Sequence, residues 1–311
     1  MKIVLANPRG FCAGVERAVQ IVERALQKFG RPLYVRHEIV HNKAVVDELR
    51  AKGVRFVDDL DEVPEGSVVV FSAHGVGESV YAQAEEKRLV VIDAACPLVK
   101  KVHSSAKRHD AENRTIILIG HAGHPEVVGT MGQIKGKMLL VATPEDVARL
   151  EVPENSQLAY ITQTTFSVKE TKATIDALRA RFPDIIGPQR GDMCYATTNR
   201  QQAVEQLCAR IDLLLVVGSA NSSNSMRLKE MGRTLGVKSY LVDGPEELRD
   251  SWFEGVERVG ISSGASAPEH IVQDVVALLR KRYPVESVEE LVTLNENIHF
   301  ALPEILREEQ G

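Results

Sequence analysis

Four thiols are available for chemistry, Cys12, Cys96, Cys194 and Cys208, and no two of them form a Cys-x-x-Cys pair. That spacing argues against an ordinary zinc ribbon or ferredoxin site. Three of them sit among loop and turn residues, in NPRGFCAG, DAACP and RGDMCYATTN, and each opens a helical pattern. A helix start favours thiolate through its dipole and its free N–H groups. Each of the three is therefore either a small buried hydrophobe or a metal ligand. Cys208 differs: it lies inside the amphipathic AVEQLCARIDLLL, where a core position is the simplest role. Three thiolates could hold zinc with an open position, which would serve hydrolysis. They could equally hold a four-iron, four-sulfur cluster that lacks one protein ligand. Catalytic zinc usually recruits His or carboxylate as well, so the donor set leans to the cluster. An open iron would take an oxygen ligand from a substrate and pass it electrons, and helix-start N–H groups could tune the cluster through its sulfides.

Polar residues gather where β-branched runs end. His41 and Asn42 form one group, His121, His124 and Glu126 a second, and Asn221, Ser222, Ser223 and Asn224 a third. His41 lies 29 residues beyond Cys12, His124 lies 28 beyond Cys96, and Ser222 lies 28 beyond Cys194. A further run and an acidic turn follow each group, in FVDDLDEV, LVATPEDV and YLVDGPEEL. The next run again ends in small polar residues: Ser72, His74 and Gly75; Thr162, Thr164 and Thr165; Ser262 to Ser266. The chain thus reads as three copies of one unit, each supplying one cysteine and two polar strand ends.

The elements that must position these residues are legible as runs. Strands are expected at Lys2–Ala6, Leu33–Val35, Val54–Val57, Val68–Phe71, Leu89–Asp93, Thr115–Ile119, Met138–Val141, Leu158–Ile161, Leu213–Val217, Ser239–Val242 and Arg258–Ile261. Helical patterns include Val15–Phe29, Leu98–His109, Val168–Arg181 and Gln201–Arg210. Alternation of the two predicts an α/β fold with parallel sheets. Ligands of such sheets sit beyond the carboxyl ends of the strands. Three units about a pseudo-threefold axis would converge their strand ends on one site. The expected units are residues 1–95 with Cys12, 96–192 with Cys96 and 193–285 with Cys194, with breaks near Ala94–Cys96 and Gly187–Met193. A tail follows over 286–311, in which NENIHFALP could be a closing strand.

The nine polar residues His41, His74, His124, Thr164, Thr165, Ser222, Ser223, Asn224 and Ser266 would make a good lining for an anion such as diphosphate, held by neutral donors. No Lys/Arg cluster accompanies them, although Arg9 adjoins the first cysteine loop. Glu126, near anionic ligand groups, is a candidate proton donor with a raised pKa. Taken singly, each of these residues also reads as an ordinary surface or loop residue. The net charge of −5 and 5% aromatic content give no basic or stacking footprint for nucleic acid. The N-terminal apolar run ends at Ala6, too short for a signal peptide. No run approaches the roughly 20 residues needed to span a membrane. A cytoplasmic protein is expected, in which the cysteines are not structural disulfides.

Taken together, LANPRGFCAGVERAV, VRHEIVHNKAVVDEL, FSAHGV, DAACPLVKKVH, ILIGHAGHPEVVGTMGQ, TQTTFSV, DMCYATTNRQ, VVGSANSSNS and SGASAPE closely resemble the IspH/LytB family, the 4-hydroxy-3-methylbut-2-enyl diphosphate reductases of the methylerythritol phosphate route to isoprenoids. The segments occur in family order from Leu5 to Glu269. The resemblance implies three α/β units in a trefoil-like arrangement around one central 4Fe-4S cluster, with Cys12, Cys96 and Cys194 as ligands and one open iron. It implies that His41, His74, His124, Ser222, Ser223, Asn224 and Ser266 hold the substrate diphosphate. Glu126, Thr164 and His124 form the implied catalytic set, with Thr164 near the allylic hydroxyl, Glu126 delivering protons, and Thr165 in a supporting role. The implied reaction is a two-electron, two-proton reductive dehydroxylation that gives isopentenyl and dimethylallyl diphosphate. A flavodoxin or ferredoxin would supply the electrons, since the chain has no flavin or nicotinamide fingerprint. Nucleic acid and membrane are not expected partners.

Two rival readings are a zinc hydrolase of a phosphorylated substrate and a binding protein that holds a phosphorylated metabolite without turning it over. All three readings leave Cys208 outside the site. Cys208→Ser is expected to retain metal and sulfide in full by chemical analysis of anaerobically purified protein. Loss of either would show that Cys208 belongs among the ligands.

Overall fold

β-Branched and aliphatic runs become strands, and the stretches between them become amphipathic helices. The computed structural model describes residues 1–188 and 191–307, so residues 189 and 190 of the expected break at Gly187–Met193 lie outside the described residues. The strands are β1 (Lys2–Asn7), β2 (Leu33–Arg36), β3 (Val54–Val57), β4 (Val68–Phe71), β5 (Val90–Asp93), β6 (Thr115–Ile119), β7 (Met138–Val141), β8 (Leu158–Thr162), β9 (Leu213–Val217), β10 (Lys238–Val242), β11 (Arg258–Ser263) and β12 (Ser287–Val292). The helices are α1 (Ala13–Phe29), α2 (Lys43–Ala51), α3 (Glu78–Glu86), α4 (Pro97–Ala111), α5 (Pro125–Met131), α6 (Pro144–Arg149), α7 (Val168–Arg181), α8 (Tyr195–Cys208), α9 (Ser223–Thr234) and α10 (Glu269–Arg282).

The strands form three parallel sheets, ordered β3-β2-β4-β5, β7-β6-β8 and β10-β9-β11-β1-β12. Parallel neighbours need crossover connections, which the intervening helices supply. The three orders are one pattern. β2, β6 and β9 lie inside, with β3, β7 and β10 on one side of them and β4, β8 and β11 on the other. Beyond this second neighbour comes the segment that leads to a cysteine. It is β5 before Cys96 and β1 before Cys12, and in the three-stranded sheet a single parallel bridge, Ala159 to Ile186, stands in its place. The third sheet therefore closes with the first strand of the chain.

The acidic turns repeat in atomic detail. The N–H of Asp58 donates to Glu62 Oε1 at 3.1 Å, that of Ala142 to Asp146 Oδ2 at 2.9 Å, and that of Asp243 to Glu247 Oε2 at 2.8 Å. Each carboxylate caps the turn that follows β3, β7 or β10, as acidic side chains at helix starts do.

By packing, the chain forms two compact units. One comprises Met1–Glu16, Val40–Glu48 and Tyr195–His299 and holds the five-stranded sheet; the other comprises Arg17–Ile39, Leu49–Cys194 and the described residues from Phe300 onward and holds the other two. In the first unit β9 is buried along its whole length. Leu213, Leu215 and Val217 meet Val272, Val275 and Leu279 of α10, while Leu214 and Val216 meet Ala203, Val204, Leu207 and Cys208 of α8. Period-two alternation thus sends side chains into two apolar layers, as expected for a sheet covered on both faces. Cys208 lies within one layer, and burial pushes its thiol up to about 11. In the second unit β6 and β8 are buried at every position.

NENIHFALP is not a strand: residues 295–303 carry no regular structure. The tail's strand lies upstream at β12, paired with the outer edge of β1 from Lys2↔Ser287 to Asn7↔Val292. Asn295 and Asn297 disfavour extended pairing, whereas Val288 and Val292 suit it. No helix among the described residues is long and apolar enough to cross a membrane.

Leu215→Ala, at a fully buried site of the inner strand, should cost about 2–5 kcal/mol in urea unfolding. A loss under about 1 kcal/mol would show that this layer is not close-packed.

Candidate active site

Each of the three loop cysteines is held by the same backbone bond. Cys12 N–H donates to Ala265 O at 3.1 Å, Cys96 N–H to Ala73 O at 3.0 Å, and Cys194 N–H to Thr164 O at 3.2 Å. The acceptors belong to the polar turns after β11, β4 and β8. Cys96 is the N-cap of α4, and Cys12 and Cys194 directly precede α1 and α8. None of the three is in a disulfide and all are partly exposed, whereas Cys208 is buried.

The Cys12 loop is braced by residues that the sequence reading left out. Gly10, at φ +68°, donates its N–H to Ser263 Oγ at 2.7 Å. Arg200, fully buried, donates to Gly10 O at 2.7 Å and to Glu296 Oε1 at 3.1 Å. Tyr195 Oη accepts from Ala13 N at 3.0 Å. A signal for Arg200 existed: it falls on the buried stripe of α8 with Ala196, Ala203, Val204 and Leu207, and a charge on such a stripe needs partners. Arg9 is taken up by Glu269 at 2.8 Å and Glu290 at 2.9 Å, so it braces this loop as well.

Within the first unit, five of the expected anion-binding residues come together. Ser266 Oγ donates to His41 O at 2.9 Å and lies 3.5 Å from Ser222 Oγ. Ser222 caps α9 by accepting from Ser225 N at 3.3 Å. Ser223 and Asn224 form the first turn of that helix. Asn224 is buried, and neither its amide oxygen nor its amide nitrogen has a hydrogen-bond partner. Burying an unpaired amide is costly.

Within the second unit the remaining candidates gather around Glu126. This carboxyl is buried, accepting from Thr164 N at 2.6 Å and from Thr164 Oγ1 at 3.0 Å. His124 caps α5 by accepting the Glu126 N–H on Nδ1 at 3.1 Å. That bond places the ring proton on Nε2, making it a donor. The His74 ring stands edge-on to His124, with centroids 6.0 Å apart, and Ser72 Oγ lies 3.3 Å from His74 Nδ1. Thr165 Oγ1 accepts from Gln163 Nε2 at 2.9 Å.

Burial raises the Glu126 carboxyl from 4.5 to about 7, against the two Thr164 hydrogen bonds, which act to lower it. The proximity of Asp192 adds to the rise. The sequence reading assigned the rise to an anionic ligand; desolvation by the protein itself produces it. Asp192 is a second buried carboxyl, also raised by burial, that accepts from Thr162 N at 3.2 Å and lies 3.8 Å from Lys101 Nζ. It was visible in RGDMCYATTN but carried no signal separate from the cysteine.

Among the described residues no group of three or more His, Cys, Asp or Glu side chains is placed to hold a metal ion. The donors that recur at equivalent helix starts are thiols alone, the ligand type of iron–sulfur clusters. This donor set fits such a group.

Three repeats of one parallel α/β unit, each with a cysteine at a helix start and polar strand ends, define an α/β protein of internal threefold repetition whose recurring thiols suit an iron–sulfur group. The chain belongs to the LytB protein family, which matches residues 3–280 and whose members are iron–sulfur enzymes. A 4-hydroxy-3-methylbut-2-enyl diphosphate reductase of Azotobacter vinelandii is 57% identical over 311 residues, 99% of this chain and 98% of the relative. The solved structure of the E-1-hydroxy-2-methyl-but-2-enyl-4-diphosphate reductase from Plasmodium falciparum matches with a TM-score of 0.95 at 38% identity, covering 98% of this chain and 96% of that one. A second solved structure, an (E)-4-hydroxy-3-methyl-but-2-enyl diphosphate reductase described as the terminal enzyme of the non-mevalonate pathway, matches at 0.65 with 33% identity, over 90% of this chain and 100% of that one.

Glu126 keeps its proton in the folded chain at pH values where the unfolded chain has lost it. Stability therefore falls as pH rises from about 4.5 to about 7, and the deficit persists above that window. Glu126→Gln can retain both bonds to Thr164 without the charge. It should be more stable than the parent at pH 8, by up to about 3 kcal/mol, and equal to it near pH 4. A constant difference between pH 4 and 8 in thermal melts would show that the carboxyl titrates normally.

Proposed function

We propose that the chain reduces 4-hydroxy-3-methylbut-2-enyl diphosphate to isopentenyl and dimethylallyl diphosphate, the last step of the methylerythritol phosphate pathway. The observation that carries this reading is the Glu126–Thr164 pair: a buried carboxyl, still able to hold a proton near neutral pH, bonded to a threonine hydroxyl at 3.0 Å. A reductive dehydroxylation needs such a group. One C–O bond breaks, two electrons and two protons enter, and water leaves. Near-full-length identity to reductases of this name supports the substrate.

In this reading Cys12, Cys96 and Cys194 hold one 4Fe-4S cluster with one open iron. When bound, the cluster supplies electrons and a Lewis-acidic position for an oxygen ligand. The protein's own groups do the rest. His41, His74, His124, Ser222, Ser223, Asn224 and Ser266 hold the diphosphate through neutral donors. The Asn224 amide nitrogen, unpartnered in its buried position, finds an acceptor there. Thr164 orients the allylic hydroxyl, and Glu126 supplies the proton through it. His124 is fixed as a donor by its own cap bond, and Thr165 supports the turn through Gln163. Electrons arrive from a flavodoxin or ferredoxin in the cytoplasm.

Anaerobically purified protein should carry iron and sulfide in a 4:4 ratio, as expected of the cluster. It should consume the butenyl diphosphate with a chemical reductant. Glu126→Gln should keep the cluster and lose turnover by about 10²–10⁴-fold. Colourless protein with stoichiometric zinc, or cluster-replete protein that leaves the substrate intact, would overturn the assignment. Unchanged turnover in Glu126→Gln would remove that residue from it.

A further inference from the structure

The turn that carries His74 is wedged between two helices that each begin at a functional residue. α4 starts at Cys96, and α5 starts at His124 and Glu126. The wedge has almost no side chain in it. A Cβ on Gly129 would lie 2.9 Å from Gly75 O, and one on Gly77 would lie 2.9 Å from Gly132 Cα. On the other flank a Cβ on Gly75 would lie 2.6 Å from His103 Cε1 of α4. His103 is buried there, and burial lowers its pKa to about 4, so the ring is neutral. Polar bonds stitch the same seam: Glu78 N–H donates to Gly132 O at 2.9 Å, and Gln133 Nε2 donates to Val76 O. Backbone thus lies on backbone along one face of α5, at a distance that any side chain would change.

We propose that Gly129 and Gly132 are positioning residues: by letting α5 rest directly on the Gly75–Gly77 turn they set the separation of His74 and His124, and so the grip on the substrate's diphosphate. The proposal rests on the reading that these histidines hold that group. α5 could tolerate alanine at Gly129 as a helix, since alanine is the better helix former. What it cannot keep is the contact, because the neighbour is a main-chain carbonyl. Hydrogen bonds weaken steeply as distance and angle leave their optimum, so displacement of a binding group by a fraction of an ångström weakens binding, and a loss of about 1.4 kcal/mol is tenfold in affinity.

The test uses cluster-replete holoenzyme and inorganic diphosphate, titrated calorimetrically, so that binding is read apart from turnover. Gly129→Ala should keep its iron content, melt a few degrees lower because the backbone contact is overpacked, and lose about tenfold in diphosphate affinity when measured well below that midpoint. A crystal structure of this variant should show the His74–His124 separation beyond 6.0 Å. Val128→Ala, on the exposed face of the same helix, should match the parent. Unchanged affinity in folded, cluster-replete Gly129→Ala would overturn the proposal. If that variant fails to fold, Gly132→Ala is read the same way, and failure of both would overturn it in favour of a purely structural role. His74→Asn and His124→Asn separate the two layers of inference. If they leave affinity unchanged, the reading of the site has failed. If they weaken it while Gly129→Ala does not, only the positioning has.

Discussion

Three backbone hydrogen bonds carry the design: a cysteine N–H to the carbonyl of a polar turn, repeated at Cys12, Cys96 and Cys194. Each bond ties the start of a helix to the carboxyl end of a parallel strand. Parallel sheets place those ends along a single edge, where ligands of open α/β sheets bind. The thiol and the polar strand end are therefore fixed by one interaction rather than two. The rest of each unit, from the acidic turn to the inner strand, serves to hold that edge in place.

Much of the fold was legible because parallel strands buried on both faces must be continuously apolar. All eleven expected strands are present within a residue or two. β12 was missed because SVEELV carries three polar residues and covers an edge instead of crossing a core. The repeat was legible for a different reason. Its acidic turns and polar strand ends are local chemistry, each determined by a few neighbouring residues. The closure of the third sheet by β1 was not legible in that way, since register between strands some 250 residues apart has no local mark.

The site divides along similar lines. Residues whose type announces a task, such as the thiols and histidines, could be picked out from spacing. Residues whose importance comes from burial could not. Arg200 and Asp192 look like ordinary surface charges in the sequence, yet both are buried, and the first braces the Cys12 loop while the second raises Glu126. Glu126 itself was chosen for its neighbours. Its raised pKa comes from burial that only the folded chain makes. Arg9 and Arg200, beside the first cysteine loop, are spent on carboxylates and carbonyls, so an anion held as proposed would meet neutral donors. Such donors select by shape and direction more than by charge.

The sheet that β1 completes has a bearing on how the protein is made. Cys12 leaves the ribosome early, but Ala265, the carbonyl that anchors it, follows 253 residues later. Domains fold as they emerge, N-terminal parts first, yet here the first-made thiol is the last to be anchored. Cys96 and Cys194 find their partners within about thirty residues upstream. A nascent chain thus offers two seated thiols and one loose one until synthesis is nearly over. Any group that needs all three seated thiols would therefore have to await completion of the polypeptide, and a product truncated before Ala265 would leave the Cys12 loop without this anchor.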